Sequence, residues 1–335
     1  MRPSQLKDEI KARHTAKIKR TLMVESTPGL GKTQIARQAA EELGVGFMTI
    51  HAPLLQPEDY GLPVVMGKDR DQLKFVVSAD KFPIKGSDCP ESGILLIDEL
   101  SQADNSSQKI LANLIQEREI HGQHLKDGWT IVATGNRQKD RSGANRILGH
   151  LSNRLTRVTL EASLDDWTDW ALRNGVKTEV VSFIRFRPEL LSNYDAAQEI
   201  NATPRAWVEG VSAALGVIEK ENEFEIFTGD VGEGCASEFM AFVKIYRNLP
   251  NPDAVLLNPK KEEVPKDPAT QFALVGALVA RVTEQNMDRA MIYIRRLPAE
   301  FSVLFIKDAV ARNRDLATTK AFIDWTTKEG AALLN

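Results

Sequence analysis

Residues 22–40 read LMVESTPGLGKTQIARQAA: a short β-prone run, a turn built on one proline and two glycines, then a helix-forming run. Strand, glycine-rich loop and helix in that order are what a phosphate-binding loop requires. The loop's backbone N–H groups and the positive end of the helix together form an anion cradle. The pattern G-x-x-x-x-G-K-[ST] is met at Gly31, Lys32 and Thr33 and missed at its first position, where Ser26 stands. Glycine there exploits its freedom at positive φ, so a serine is expected to carry about 1 kcal/mol of strain. Thr27, Pro28, Gly29, Leu30, Gly31, Lys32, Thr33 and Gln34 are the candidate nucleotide-contacting residues of this loop. Lys32 is placed to reach the β- and γ-phosphates of a nucleoside triphosphate, and Thr33 to offer its hydroxyl to Mg²⁺.

Further along, GILLIDELSQAD (93–104) is an apolar strand ending in two acids. With the loop about 65 residues upstream, Asp98 becomes the candidate second Mg²⁺-site residue and Glu99 the candidate base that orients and deprotonates the attacking water. Ser101 is the natural N-cap for the helical run after it. A third strand, IVATGNR (131–137), carries Asn136 at its tip, where a polar side chain can stand between phosphate and water. Two arginines complete the candidate set. Arg154, in LSNRLTRV, precedes the last expected strand and is a candidate finger for a neighbouring subunit's nucleotide, with Arg157 and Arg146 as rivals. Arg205, in ATPRAW, opens a helix and is a candidate γ-phosphate contact. Surface ion pairs are the alternative for Arg154 and Arg205 alike.

The surroundings fit a globular α/β protein. The 335 residues are 42% hydrophobic and 27% charged, and a net charge of −3 argues against holding nucleic acid by bulk charge. Cys89 and Cys235 are far apart and in no metal-ligand spacing, and the most apolar segment, FALVGALVARV from Phe272, is interrupted by Arg281. A soluble protein in a reducing, cytoplasmic setting is expected, with no secretory signal and no membrane span. β-prone runs at 21–25, 46–50, 93–97, 129–134 and 156–160 alternate with helical patterns at 33–43, 101–119 and 143–152, which predicts a parallel sheet with crossover helices. Residues 4–20 predict a basic helix leaning on that domain. PVVM and LKFVV predict one hairpin insertion, and the stretch around His121-Gly122-Gln123 a second. Beyond residue 161 the pattern is helical, with a Pro-rich loop at 248–268 and with Trp167, Trp170, Phe183 and Phe186 at core spacing.

This order of motifs resembles the MoxR-type branch of the AAA+ ATPases. STPGLGKT is similar to its Walker A, ILLIDEL to its Walker B, ATGN to its sensor-1 strand, LSNRLTRVTL to its arginine-finger segment and ATPRAW to its sensor-2 helix. PEDYGLPV resembles the start of the helix-2 insertion, and REIHGQHLKDGWTIVATGNRQKDR the hairpin before sensor 1. LDDWTDWALRNGV followed by VVSFIRFRPELL is similar to a subgroup described as MoxR-like; the likeness runs over roughly residues 20–220 and is weaker in the helical remainder. The resemblance implies an N-terminal helix at 1–20, an α/β nucleotide-binding core at 21–162, a helical lid at 163–224 and a helical C-terminal region at 225–335. It implies ATP and Mg²⁺ as ligands, with Asp98 and Thr33 at the metal and Glu99, Asn136, Arg154 and Arg205 in catalysis. It further implies a ring, in the family a hexamer, that remodels a client protein, with a von Willebrand A-type partner. Alternatives are a DNA-associated motor and, on the strength of Ser26, an ATP-gated scaffold with little hydrolysis.

Overall fold

The computed structural model describes residues 1–67, 72–137 and 147–330. The chain divides into two compact units, Met1–Glu161 and Ala162–Asn335.

The first unit is built on five strands: β1 (Thr21–Ser26), β2 (Gly46–His51), β5 (Ser92–Asp98), β8 (Gly128–Asn136) and β9 (Leu155–Thr159). They form an all-parallel sheet in the order β2-β5-β8-β1-β9. Alternate side chains of a strand point to opposite faces, and here both faces are apolar. Leu22, Val24, Ile94, Leu96 and Val132 pack on one side with Leu6 and Ile10 of α1 (Pro3–Thr15) and Ile35, Ala36, Ala39 and Ala40 of α2 (Lys32–Leu43). Met23, Leu95, Ile97, Ile131 and Ala133 pack on the other side with Leu111, Leu114 and Ile115 of α4 (Asn105–Glu117). The unbroken ILLI run thus belongs to a central strand covered twice. Each fully buried Leu or Ile stabilises the unit by about 1.5–3 kcal/mol.

Helix α1 is docked rather than free. Its Lys7 and Lys11 ammonium groups lie 2.5 and 2.8 Å from the Glu42 carboxylate, and Arg13 Nε lies 2.7 Å from Glu9. Those pairs neutralise side chains that would otherwise suit a phosphate backbone. His14 sits between the hydroxyls of Thr130 and Ser92, each 3.0 Å away, and burial pulls its imidazole below the ordinary value of 6.5.

Two antiparallel hairpins project from the unit as expected: β3 (Leu62–Met66) with β4 (Gln72–Val76), and β6 (Glu119–Ile120) with β7 (Gln123–His124). The second turns on His121 and Gly122, both at positive φ (48° and 75°), as a two-residue hairpin loop demands. Phe75 stacks on His121 with ring centroids 4.3 Å apart, and Gln123 Nε2 donates to the Phe75 carbonyl at 2.7 Å, so the hairpins brace each other. The short α3 (Pro57–Tyr60) leads into the first of them.

Two boundaries differ from expectation. Helix α4 starts at Asn105, capped by Asp104, whose carboxylate accepts from the Ser107 N–H at 2.6 Å. Ser101 is not the cap; it is buried in a 3₁₀ turn, Leu100–Gln102, where its hydroxyl serves β8 instead. Of the helix expected at 143–152, α5 (Gly149–Ser152) is present, and residues 143–146 lie outside the described residues.

The second unit is helical: α6 (Leu164–Arg173), α7 (Thr178–Phe186), α8 (Glu223–Val231), α9 (Glu233–Arg247), α10 (Pro252–Leu257), α11 (Pro268–Arg281), α12 (Met287–Ile294), α13 (Ala299–Arg312) and α14 (Lys320–Trp325). Phe239 is the hub of its core, with Phe183, Trp207 and Phe227 at 5.2–5.6 Å. Trp167 is buried there too, while Trp170 and Phe186 pack on it half-buried. Helix α10 interrupts the expected 248–268 loop, because Asn251 caps it and Pro252 occupies its first position, where no N–H is needed. Asp308 and Arg185 form a buried bidentate pair, Nε to Oδ2 at 3.0 Å and Nη2 to Oδ1. Burial pushes the Asp308 carboxyl up and the guanidinium opposes it; removing either partner strands a charge, at about 3–5 kcal/mol. No helix among the described residues is long and apolar enough to cross a membrane.

Candidate active site

The C-terminal ends of β1, β5 and β8 lie side by side, and the loops leaving them carry the three motifs of the first unit. Between β1 and α2 the chain turns on Gly29 and Gly31, at φ 78° and 77°. A Cβ on Gly31 would meet nothing within 4 Å, so backbone conformation rather than space demands glycine there. Gly31 opens α2, which directs that helix's first N–H groups at the loop.

Ser26 departs from expectation. It is the last residue of β1, in register with Asn136, and it is not among the residues at positive φ. The anticipated strain is absent, because the left-handed turns fall at Gly29 and Gly31 instead. The Ser26 hydroxyl donates to the Thr27 carbonyl at 2.6 Å and accepts from Lys32 Nζ at 2.9 Å. We expect Ser26→Gly to fold and to change ATP affinity by less than about tenfold, the scale of one net hydrogen bond. A nucleotide titration giving a larger loss would make Ser26 a direct ligand.

Lys32 Nζ also donates to Asn136 Oδ1 at 3.2 Å, joining positions 104 residues apart. Thr33 Oγ1 donates to Asp98 Oδ2 at 3.0 Å, joining the head of α2 to the end of β5. A hydroxyl and a carboxylate so close are hard oxygen donors of the kind Mg²⁺ takes, so this pair fits that ion. His51, the register partner of Asp98 on β2, holds Nδ1 3.7 Å from the same Oδ2. Glu99 is exposed and left-handed (φ 57°, ψ 35°), a conformation a glutamate holds where surroundings impose it.

Two residues outside the sequence-derived set join these parts. Thr134, buried in β8, donates its hydroxyl proton to Asp98 Oδ1 and accepts from the Glu99 N–H at 3.1 Å. Ser101 accepts from the Asn136 N–H at 3.1 Å. Thr134 stands two residues before Asn136, on the same face of the strand, which is the one signal the sequence held.

Three of the four candidate arginines are among the described residues. Arg154 is half-buried, and its Nη1 lies 3.5 Å from the Ala112 carbonyl of α4. Arg157 is engaged by its own chain, with Nε and Nη2 on the Glu25 carboxylate at 3.1 and 2.5 Å. Arg146 lies outside the described residues. Arg205 belongs to the second unit, where it is exposed, 3.9 Å from Glu209, just before a π-helical stretch at Ala206–Ser212. Gln34 is exposed on α2, and Thr27, Pro28 and Leu30 are half-buried in the loop.

Residues 22–158 match the model of the ATPase family associated with various cellular activities (AAA). This stretch holds the five-stranded sheet of the first unit. Among curated proteins none matches the sequence. Among solved structures, NtrX from Brucella abortus in complex with ATP is similar at 12% identity and a TM-score of 0.40, over 99% of this chain and 66% of that one. NtrX from the same organism in complex with ADP gives 15%, 0.34, 99% and 66%. A putative ATPase from Cytophaga hutchinsonii gives 13% and 0.36, over 92% of this chain and 79% of the other. The chain thus spans slightly less than two thirds of the NtrX chains.

Proposed function

We propose that this chain, with its AAA-type domain at residues 22–158, is a MoxR-like ATPase that hydrolyses ATP at a site shared between subunits of a ring and uses the cycle to remodel a client protein. One observation carries the reading: Lys32 reaches Asn136, and Thr33 reaches Asp98, so three motifs spread over 110 residues meet at one point. Phosphoryl transfer asks a protein mainly for positioning and charge, and that point concentrates both.

Backbone N–H groups of the loop and of the first turn of α2 bind the phosphate oxygens, and Lys32 lays its charge against the β- and γ-phosphates. Thr33 and Asp98 are the residues that would hold Mg²⁺, which when bound neutralises charge developing on the β- and γ-oxygens. Glu99 takes the proton of the attacking water, its exposed carboxylate standing at the end of β5. Asn136, fixed through its own N–H by Ser101, orients that water. Arg154 completes the site of the next subunit. The client reading is supported by the first hairpin, where Val65 and Leu73, partners across the two strands, are each more than half exposed, an apolar pair of the kind that meets another protein.

The shared site has a direct test. Lys32→Ala and Arg154→Ala are each expected to be inactive alone, since fingers supplied in trans are worth about 10³–10⁵ in rate. Mixed, they should recover turnover, because some interfaces then pair an intact loop with an intact finger. Two dead variants that stay dead when mixed, while still assembling, would place Arg154 outside the site.

A further inference from the structure

We propose that Thr134 is a positioning residue for this reaction, its single hydroxyl setting the Asp98 carboxylate and the Glu99 backbone together; the inference rests on the hydrolysis reading above. A hydroxyl has one proton to give and two lone pairs to receive. Thr134, 1% exposed, uses both functions: its proton goes to Asp98 Oδ1, and it accepts the Glu99 N–H at 3.1 Å.

Two consequences follow from that atom count. Oδ1 of Asp98 is held by Thr134, which turns Oδ2 toward Thr33 Oγ1, 3.0 Å away, on the side proposed for the metal. The carboxylate is thereby fixed in rotation as well as in place. Glu99, in turn, has an exposed side chain and an unusual left-handed backbone, and the N–H bond to Thr134 ties that backbone to β8. A second bond, from the Asn136 N–H to Ser101 Oγ at 3.1 Å, closes the same seam from the opposite direction. Between the two, Gly135 lets the strand approach: a Cβ there would come within 2.7 Å of Ser101 Oγ. The turn after β5 and the tip of β8 therefore move as one piece, and Thr134 is its pin.

The test uses Thr134→Val, which keeps the shape and loses the hydroxyl, beside Thr134→Ser, which keeps the hydroxyl and loses a methyl. Thr134→Val is expected to lose on the order of 10- to 100-fold in kcat, as loss of a group orienting a metal ligand does. It should also need more Mg²⁺ for half-maximal turnover, keep its metal-free ATP affinity, and exchange the Glu99 amide proton faster than wild type. Thr134→Ser should stay near wild type in all four. An unchanged kcat and unchanged Glu99 exchange in Thr134→Val would overturn the role, as would a Thr134→Ser loss equal to that of valine, which assigns the effect to packing. If the valine variant does not fold, Thr134→Ala read by the same exchange and Mg²⁺ dependence carries the test. Wild-type protein that releases no more phosphate than Lys32→Ala overturns the hydrolysis reading and this role together. Active wild type with an indifferent Thr134→Val overturns this role alone.

Discussion

Lys32→Ala is expected to weaken ATP binding by about 10- to 100-fold, the range of a lost hydrogen bond to a charged group at 1.5–3 kcal/mol, and to lower turnover by a further step. The lysine is not a loose surface cation. Its ammonium is held between the Ser26 hydroxyl at 2.9 Å and the Asn136 amide oxygen at 3.2 Å, over a turn made by two left-handed glycines. A positive charge already in place costs no reorganisation when phosphate arrives. Alanine removes that charge and leaves Ser26 and Asn136 each without this donor. It spares the sheet, because Lys32 begins α2 and contributes nothing to the apolar clusters on either face. Thermal melts should therefore match wild type while nucleotide titrations do not. An alanine variant that binds ATP as tightly as wild type would remove the loop from the site.

Glu99→Gln is expected to separate binding from chemistry. Turnover should fall by about 10²–10⁴, the worth of a positioned general base, with ATP affinity kept. Glutamine preserves the size of the side chain, and the backbone contact that fixes residue 99, its N–H on Thr134, does not involve the carboxylate. Asp98, Thr33 and Lys32 keep their own partners, so the phosphate and metal contacts proposed for them should be undisturbed. Phosphate release measured at saturating ATP reads this directly. Turnover within a few-fold of wild type would mean that the attacking water loses its proton to some other group.

Much of this site is local in sequence and for that reason readable there. A strand followed by Gly29, Gly31, Lys32 and Thr33, an apolar strand ending in Asp98 and Glu99, and a strand tipped by Asn136 each announce themselves within a dozen residues. Their meeting follows from the alternation of strands and helices, because a parallel sheet brings strand C-termini to one edge. What escaped the sequence depends on register between distant strands. Ser101 looks like a helix cap in isolation and becomes a partner of Asn136 only because β5 and β8 are neighbours. Thr134 looks like an ordinary buried β-branched residue until Asp98 is placed beside it. The Arg157–Glu25 pair exists because β9 lies next to β1, 132 positions away in sequence. Ser26 is the instructive case: a rule about one loop position predicted strain, but the residue is still strand, and the turn begins after it.

Steady-state phosphate release from ATP and Mg²⁺, by wild type beside Lys32→Ala over a range of protein concentrations, tests the central claim most directly. The account predicts turnover that vanishes in the variant and rises faster than linearly with wild-type protein, as a site shared between subunits requires. Turnover equal in the two proteins, or none in wild type at any concentration, would contradict it.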